Sequence, residues 1–125
     1  MVLDTNILIY YLNAALDPET KAAVDNILLS GTHVSVITRI EVLGWPDYTA
    51  SAQERARRLL DLCDEYPLID EIADQCIALR QQRRIKLPDA VIAATALYLK
   101  QPLVTRNTKD FAWIDGLQLI NPFER

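Results

Sequence analysis

The chain has 125 residues, 50% of them hydrophobic and 24% charged, with a net charge of −4 from 17 acidic and 13 basic side chains. That length suits one compact domain that buries roughly two thirds of its unfolded surface, and the composition is that of a globular domain rather than a disordered segment. The acidic balance argues against a surface that coats nucleic acid generally, while leaving room for acids whose charge a bound metal ion would neutralise.

Val2-Leu3 reads as the end of a buried strand, so the chain starts inside its own sheet, and Ile7, Leu8, Tyr11 and Leu12 follow at helical spacing. Asp17-Pro18-Glu19 supplies an N-cap, a first-turn proline and an acid at the positive end of the next helix, which Gly31 stops after Ser30. A second strand is expected over 33–37, then a short helix capped by Thr38, with Glu41 in its first turn and Pro46 at its end. Ser51-Ala52-Gln53-Glu54 has the form of a capping box, with Ala56, Leu59, Leu60 and Cys63 as the apolar stripe behind it. Only a brief strand fits within 66–69 before another helix follows Asp70.

Past the basic turn Arg83-Arg84-Ile85-Lys86, Pro88-Asp89 opens the most apolar helix, which needs cover on most of its circumference and so belongs against the sheet. Its near-apolar run, Ala90 to Leu99, is about half of the roughly twenty residues that a bilayer-spanning helix requires. Strands at 103–105 and 117–120 complete the inventory. Strands alternating with helices over short connections imply a single α/β domain over 1–125, with a central parallel sheet of about four to five strands and helices on both faces. Cys63 and Cys76 sit among apolar neighbours and read as buried free thiols; with the lone His33 they offer too few soft ligands for zinc. Reduced cysteines and no recognisable leader make the cytoplasm the expected compartment.

Asp4, Glu41, Asp89 and Asn107 all fall where a strand ends or a helix begins. In an open parallel sheet, ligands collect beyond the carboxyl ends of the strands, so these junctions bring four oxygen-bearing side chains toward one place. Each acid has a plain structural alternative: Asp4 and Asp89 as helix caps, Glu41 as a first-turn acid facing the helix dipole. Their joint placement favours a site. Hard oxygen ligands without clustered His or Cys suit Mg²⁺ or Mn²⁺, and three carboxylates packed together need a cation to relieve their repulsion. Such an ion activates water and neutralises a scissile phosphate, the chemistry of phosphodiester hydrolysis.

Leu3-Asp4-Thr5-Asn6, the run from Ser35 to Glu41, Leu87-Pro88-Asp89-Ala90 with the apolar helix behind it, and the run from Val104 to Phe111 resemble, in order, the motifs of the PIN-domain family. The likeness is closest to VapC-type toxins and extends to about Phe123. It implies a PIN-like α/β/α fold and a metal-dependent endoribonuclease acting as the toxin of a type II toxin–antitoxin pair. It further implies restraint by a cognate antitoxin, homodimerisation and a larger toxin–antitoxin assembly. Carried over position by position, Asp4, Glu41 and Asp89 match the three main metal-binding acids. Asn107 matches a fourth catalytic position that is Asp in many relatives, and its neutral amide would hold a second ion more weakly. Asp110 is a further candidate for the cleft, or a cap for the turn at Phe111. Thr5 and Thr105 are candidates to orient a carboxylate or a metal-bound water through a hydroxyl, and Asn6 either joins them or caps the first helix.

Arg83, Arg84 and Lys86 precede Asp89, and Arg106 and Lys109 flank Asn107, which makes these five the candidate RNA phosphate contacts. Tyr10, Tyr11 and Trp45 follow the first two acids, where aromatic faces stack bases or anchor a partner; Trp45 is the candidate antitoxin contact. His33, far from any acid in sequence, is not read as a base. Two other readings compete. A non-catalytic PIN-like binding module would be favoured by loss of a principal acid, and all three are present. A phosphoacceptor receiver-like domain needs a phosphorylatable Asp ending a central strand, whereas here the helix Ser51 to Glu65 occupies the middle of the chain and the acids are spread from Asp4 to Asp89.

Overall fold

Adjacent strand residues point to opposite faces of a sheet, so even the two-residue strand β1 (Val2–Leu3) feeds a core on each side. Val2 packs into one apolar cluster and Leu3 into the other, and Leu103 and Val104 of β4 (Leu103–Val104) divide in the same way. The computed structural model describes residues 1–124; Arg125 lies outside the described residues. The remaining strands are β2 (His33–Ser35), β3 (Asp64–Tyr66) and β5 (Leu119–Ile120). All neighbours pair in parallel, in the order β3-β2-β1-β4-β5.

One face is covered by α5 (Asp70–Gln82) and α6 (Leu87–Leu99), the other by α1 (Thr5–Leu12), α2 (Pro18–Leu29) and α4 (Ala50–Asp61). Two short helices, α3 (Val36–Leu43) and α7 (Thr108–Phe111), follow β2 and β4. The expected α/β fold, with a parallel sheet between helical layers, is therefore the observed one. In α6, Ala90, Ala93, Ala94 and Ala96 are fully buried, so the helix lies centrally, as its composition requires. Asp17 caps α2 by accepting a hydrogen bond from the Thr20 amide at 2.8 Å, and Gly31, at φ +91°, follows its C-cap Ser30. Cys63 and Cys76 are buried free thiols. Among the described residues no helix is long and apolar enough to cross a membrane.

Four local expectations need correction. The strand expected over 33–37 ends at Ser35, whose hydroxyl accepts from the Ile37 amide at 3.1 Å and starts α3 at once. Thr38 is therefore inside the helix and not its cap, Glu41 stands in the second turn, and the helix ends at Leu43, before Pro46. Val34, Val36 and Ile37 are β-branched and look extended on propensity alone, but the capping hydroxyl of Ser35 overrides so weak a preference. Similarly, α4 is capped by Thr49, which accepts from the Ala52 amide at 3.1 Å, and not by a box at Ser51. The brief strand of this region lies at 64–66 and not within 66–69, because an extended edge strand beside β2 needs backbone pairing more than apolar side chains. Both C-terminal strands are shorter than expected, and Thr105 follows β4.

The topology places the ligand end of the sheet. From β1 the chain crosses to β2 and β3 on one side, then returns through α5 and α6 to β4 on the other side of β1. Connections leaving β1 and β4 thus diverge, and a crevice opens beyond their carboxyl ends.

Candidate active site

Asp4 leaves β1 directly into that crevice and is 3% exposed. It occupies the N-cap position of α1 with extended backbone, yet its side chain makes no cap hydrogen bond. Instead the Thr105 hydroxyl, arriving from the end of β4, donates to Asp4 Oδ2 at 2.8 Å and accepts from the Asn107 amide at 3.0 Å. Burial raises the pKa of Asp4; the Thr105 hydrogen bond and the Asn6 and Thr5 amides oppose the rise, and the Glu41 charge adds to it.

Glu41 is fixed from α1. The Thr5 hydroxyl donates to Glu41 Oε1 at 2.7 Å and lies 2.9 Å from the Thr38 hydroxyl, one turn before Glu41 on α3. Asp89 stands in the first turn of α6, whose N-cap position is Lys86, so it too is not the cap. Burial, then the Asp4 charge, pushes its pKa up to about 6; Lys86 pulls it back, while Asp110 and Glu41 add smaller upward pushes. Asn107 holds the N-cap position of α7 without a side-chain cap bond, and the Asp110 amide donates to its carbonyl at 3.0 Å.

Asp4, Glu41, Asp89, Asn107 and Asp110 line one cavity of about 200 Å³, together with Thr5, Asn6 and Lys86. Thr105 lies behind it, holding Asp4. The acids line this cavity without meeting at one point: among the described residues no three His, Cys, Asp or Glu side chains converge closely enough to enclose an ion. This lining fits Mg²⁺ or Mn²⁺ better than zinc, because Mg²⁺ keeps several waters and takes only one or two carboxylates directly. The raised pKa values of Asp4 and Asp89 record a burial of negative charge that a cation would relieve.

The PIN-domain family model matches residues 1–117. The chain is a PIN domain. It is 35% identical to a chain of a toxin–antitoxin complex from Klebsiella pneumoniae, with a TM-score of 0.76 over 99% of this chain and 98% of that one. A chain of VapBC-1 from nontypeable Haemophilus influenzae is 27% identical, with a TM-score of 0.77 over 97% and 96% of the two chains. VapBC2 from Rickettsia felis, bound to a DNA fragment from its promoter, contains a chain with a TM-score of 0.83 over 96% of each; at 23% identity that likeness is one of fold. No match is found among curated proteins.

Around the acid cavity, this PIN domain gathers four of the five candidate cations and turns Arg106 away. Lys86 lines it, whereas Arg83, Arg84 and Lys109 share with Lys86 an adjoining cavity. Arg106 is turned onto rings: its guanidinium lies 4.4 Å from the Phe123 centroid and 5.4 Å from that of Tyr10. Tyr11 is tied to α2 by a 2.5 Å bond from its hydroxyl to Asp25 Oδ1. Trp45, 57% exposed, lines an apolar cavity with Ile9, Leu12 and Tyr48. His33 lies at the opposite end of the strands, 3.1 Å from Gln101 Oε1. Sequence reading missed the part of Thr38 in holding the Thr5–Glu41 pair. The signal was available: a small hydroxyl residue three positions before an acid on a helix shares its face.

Proposed function

We propose that this PIN domain is a metal-dependent endoribonuclease, the toxin of a type II toxin–antitoxin pair, hydrolysing RNA phosphodiester bonds with Mg²⁺ or Mn²⁺. The observation that carries the reading is the gathering of Asp4, Glu41, Asp89 and Asn107, from four separate segments, into one cavity at the divergent end of the sheet. Bound Mg²⁺ or Mn²⁺ would supply water activation and neutralisation of phosphate charge. Asp4, Glu41 and Asp89 would offer it hard oxygens, one or two directly and the rest through its retained waters, and Asn107 presents an amide that orients without adding charge. Thr105 and Thr5 keep Asp4 and Glu41 aimed, each through one hydroxyl. Asp110 enlarges the negative lining, and Lys86 offers a cation at its edge to a substrate phosphate.

A cognate antitoxin is the proposed partner, supported by the toxin–antitoxin complex at 35% identity and by the exposed Trp45 beside an apolar cavity. Trp45→Ala is expected to weaken antitoxin affinity without altering RNA cleavage. Homodimerisation is supported by exposed apolar side chains such as Ile77 and Tyr98, and sedimentation of the isolated protein measures it.

The deciding experiment is RNA cleavage by antitoxin-free protein with Mg²⁺ or Mn²⁺ added back after chelation. Asp4→Asn and Asp89→Asn are expected to lose cleavage by at least about a hundredfold while keeping native circular dichroism. Absence of cleavage with either metal, or equal cleavage by both variants, would overturn the enzyme reading and leave a PIN-fold binding module.

A further inference from the structure

The cavity adjoining the acid site has a composition that metal holding does not explain. It measures about 310 Å³ and shares Lys86, Asp89 and Asp110 with the acid cavity, so the two are neighbours. In a chain of net charge −4, it collects the cations Arg83, Arg84, Lys86 and Lys109 against only those two carboxylates. Among the described residues none of the four cations is in an ion pair; the pairs found are Lys21–Asp25, Arg39–Glu65 and Arg58–Glu54.

Its one aromatic wall is held in place. Trp113 Nε1 donates to the Asp110 carbonyl at 2.9 Å, and the Arg83 guanidinium lies over the indole at 5.1 Å from its centroid. Asp110 therefore stands between the two cavities, lining both and holding the indole edge with its backbone carbonyl. Flat rings and guanidinium planes are the surfaces on which proteins stack unpaired bases, and surrounding cations track the phosphates on either side.

We infer that the exposed Arg83 guanidinium, backed by the Trp113 indole that packs against the core, is a nucleotide subsite of the nuclease, stacking one unpaired RNA base next to the cleaved linkage while Arg84, Lys86 and Lys109 hold the flanking phosphates. The inference rests on the nuclease reading above and makes the substrate single-stranded or looped at this position, since a paired base cannot enter the stack. Trp113 acts by binding and not in the chemical step.

The test uses short oligoribonucleotides in which one abasic nucleotide is walked along both sides of the cleavage point. Trp113→Ala is expected to raise KM about 5- to 150-fold with kcat little changed, and Trp113→Phe to restore most of the loss. At one position the abasic substrate should reproduce that KM in the unaltered protein, with Trp113→Ala adding nothing further. A loss through Trp113→Ala that is equal for every substrate would assign Trp113 to packing and overturn the subsite.

A second measurement keeps Trp113 intact. In Trp45→Phe/Asp4→Asn, Trp113 is the only tryptophan, and oligoribonucleotide binding should quench its fluorescence, less so with the abasic position in place. Cleavage by the unaltered protein without such quenching overturns the subsite and leaves the nuclease reading standing. Quenching without cleavage keeps a base-binding platform and overturns the nuclease reading; neither signal overturns both.

Discussion

Burial raises the pKa of Asp4 and Asp89, and at Asp89 the neighbouring Asp4 charge carries it to about 6. The folded protein thus holds the Asp89 proton more tightly than the unfolded chain, whose carboxyl titrates near 3.8. By linkage, this group favours folding fully below the unfolded value, and that contribution is lost as pH rises through about 6. Asp89→Asn should therefore stabilise the metal-free protein by about 1–2 kcal/mol at pH 7.5, after allowance for partial exposure, and the gain should shrink toward pH 4. Urea titrations in chelator at the two pH values measure this; a pH-independent gain would attribute it to new hydrogen bonds. Among the described residues, the one side chain that donates to Asp4 is the Thr105 hydroxyl, from across the fold. Thr105→Val removes that donor and is expected to cost about 1–3 kcal/mol and to weaken Mn²⁺ binding about 10- to 100-fold, read by thermal melts and calorimetry. Undiminished Mn²⁺ affinity would dissociate Thr105 from the metal site. Legibility differed among these side chains. The acids stood out because they sit at strand and helix junctions, and Thr105 through the resemblance, but a hydroxyl serving an acid 101 positions away has no local signature.

The existence of α1 to α6 was readable from apolar spacing and capping residues, whereas α7 reads from the sequence only as a turn, and helix starting points were decided by which of several neighbouring hydroxyls found an amide. Thr49 and Ser51 both look like caps, and only Thr49 accepts one, from Ala52. Thr49→Ala should cost about 0.5–2 kcal/mol, Thr49→Gly only a few tenths, and Ser51→Ala almost nothing, in urea unfolding at constant m. A larger cost at Ser51 would restore the capping box. The same competition at Ser35 has a functional consequence. By opening α3 two residues after Val34, it moves Glu41 from the first turn to the second, where Thr5 and Thr38 join it. The brief β3 was misplaced because Asp64 and Glu65 are exposed edge residues whose extended state comes from pairing with His33 and Val34, a contact invisible in a local window.

Helix α6 joins site to core: Asp89 stands in its first turn, and its alanines let it approach the sheet without side chains holding it off. Ala93→Leu should overpack this interface and cost about 1–3 kcal/mol or more, seen as a lower urea midpoint; a tolerated leucine would reveal slack that full burial denies. The parallel sheet, its two helical layers, the central position of α6 and the acids were legible from the chain, because burial period and residue type are local properties that survive without coordinates. Folding decided the rest: Thr105 behind Asp4, Thr5 and Thr38 around Glu41, Arg106 on Phe123 and Tyr10, and Trp113 beside Asp110 and Arg83. Sheet order accounts for that division. With β4 against β1, residues near the two ends of the chain become neighbours, and a periodic pattern read along the sequence contains no term for distance between strands that pair only after the crossover.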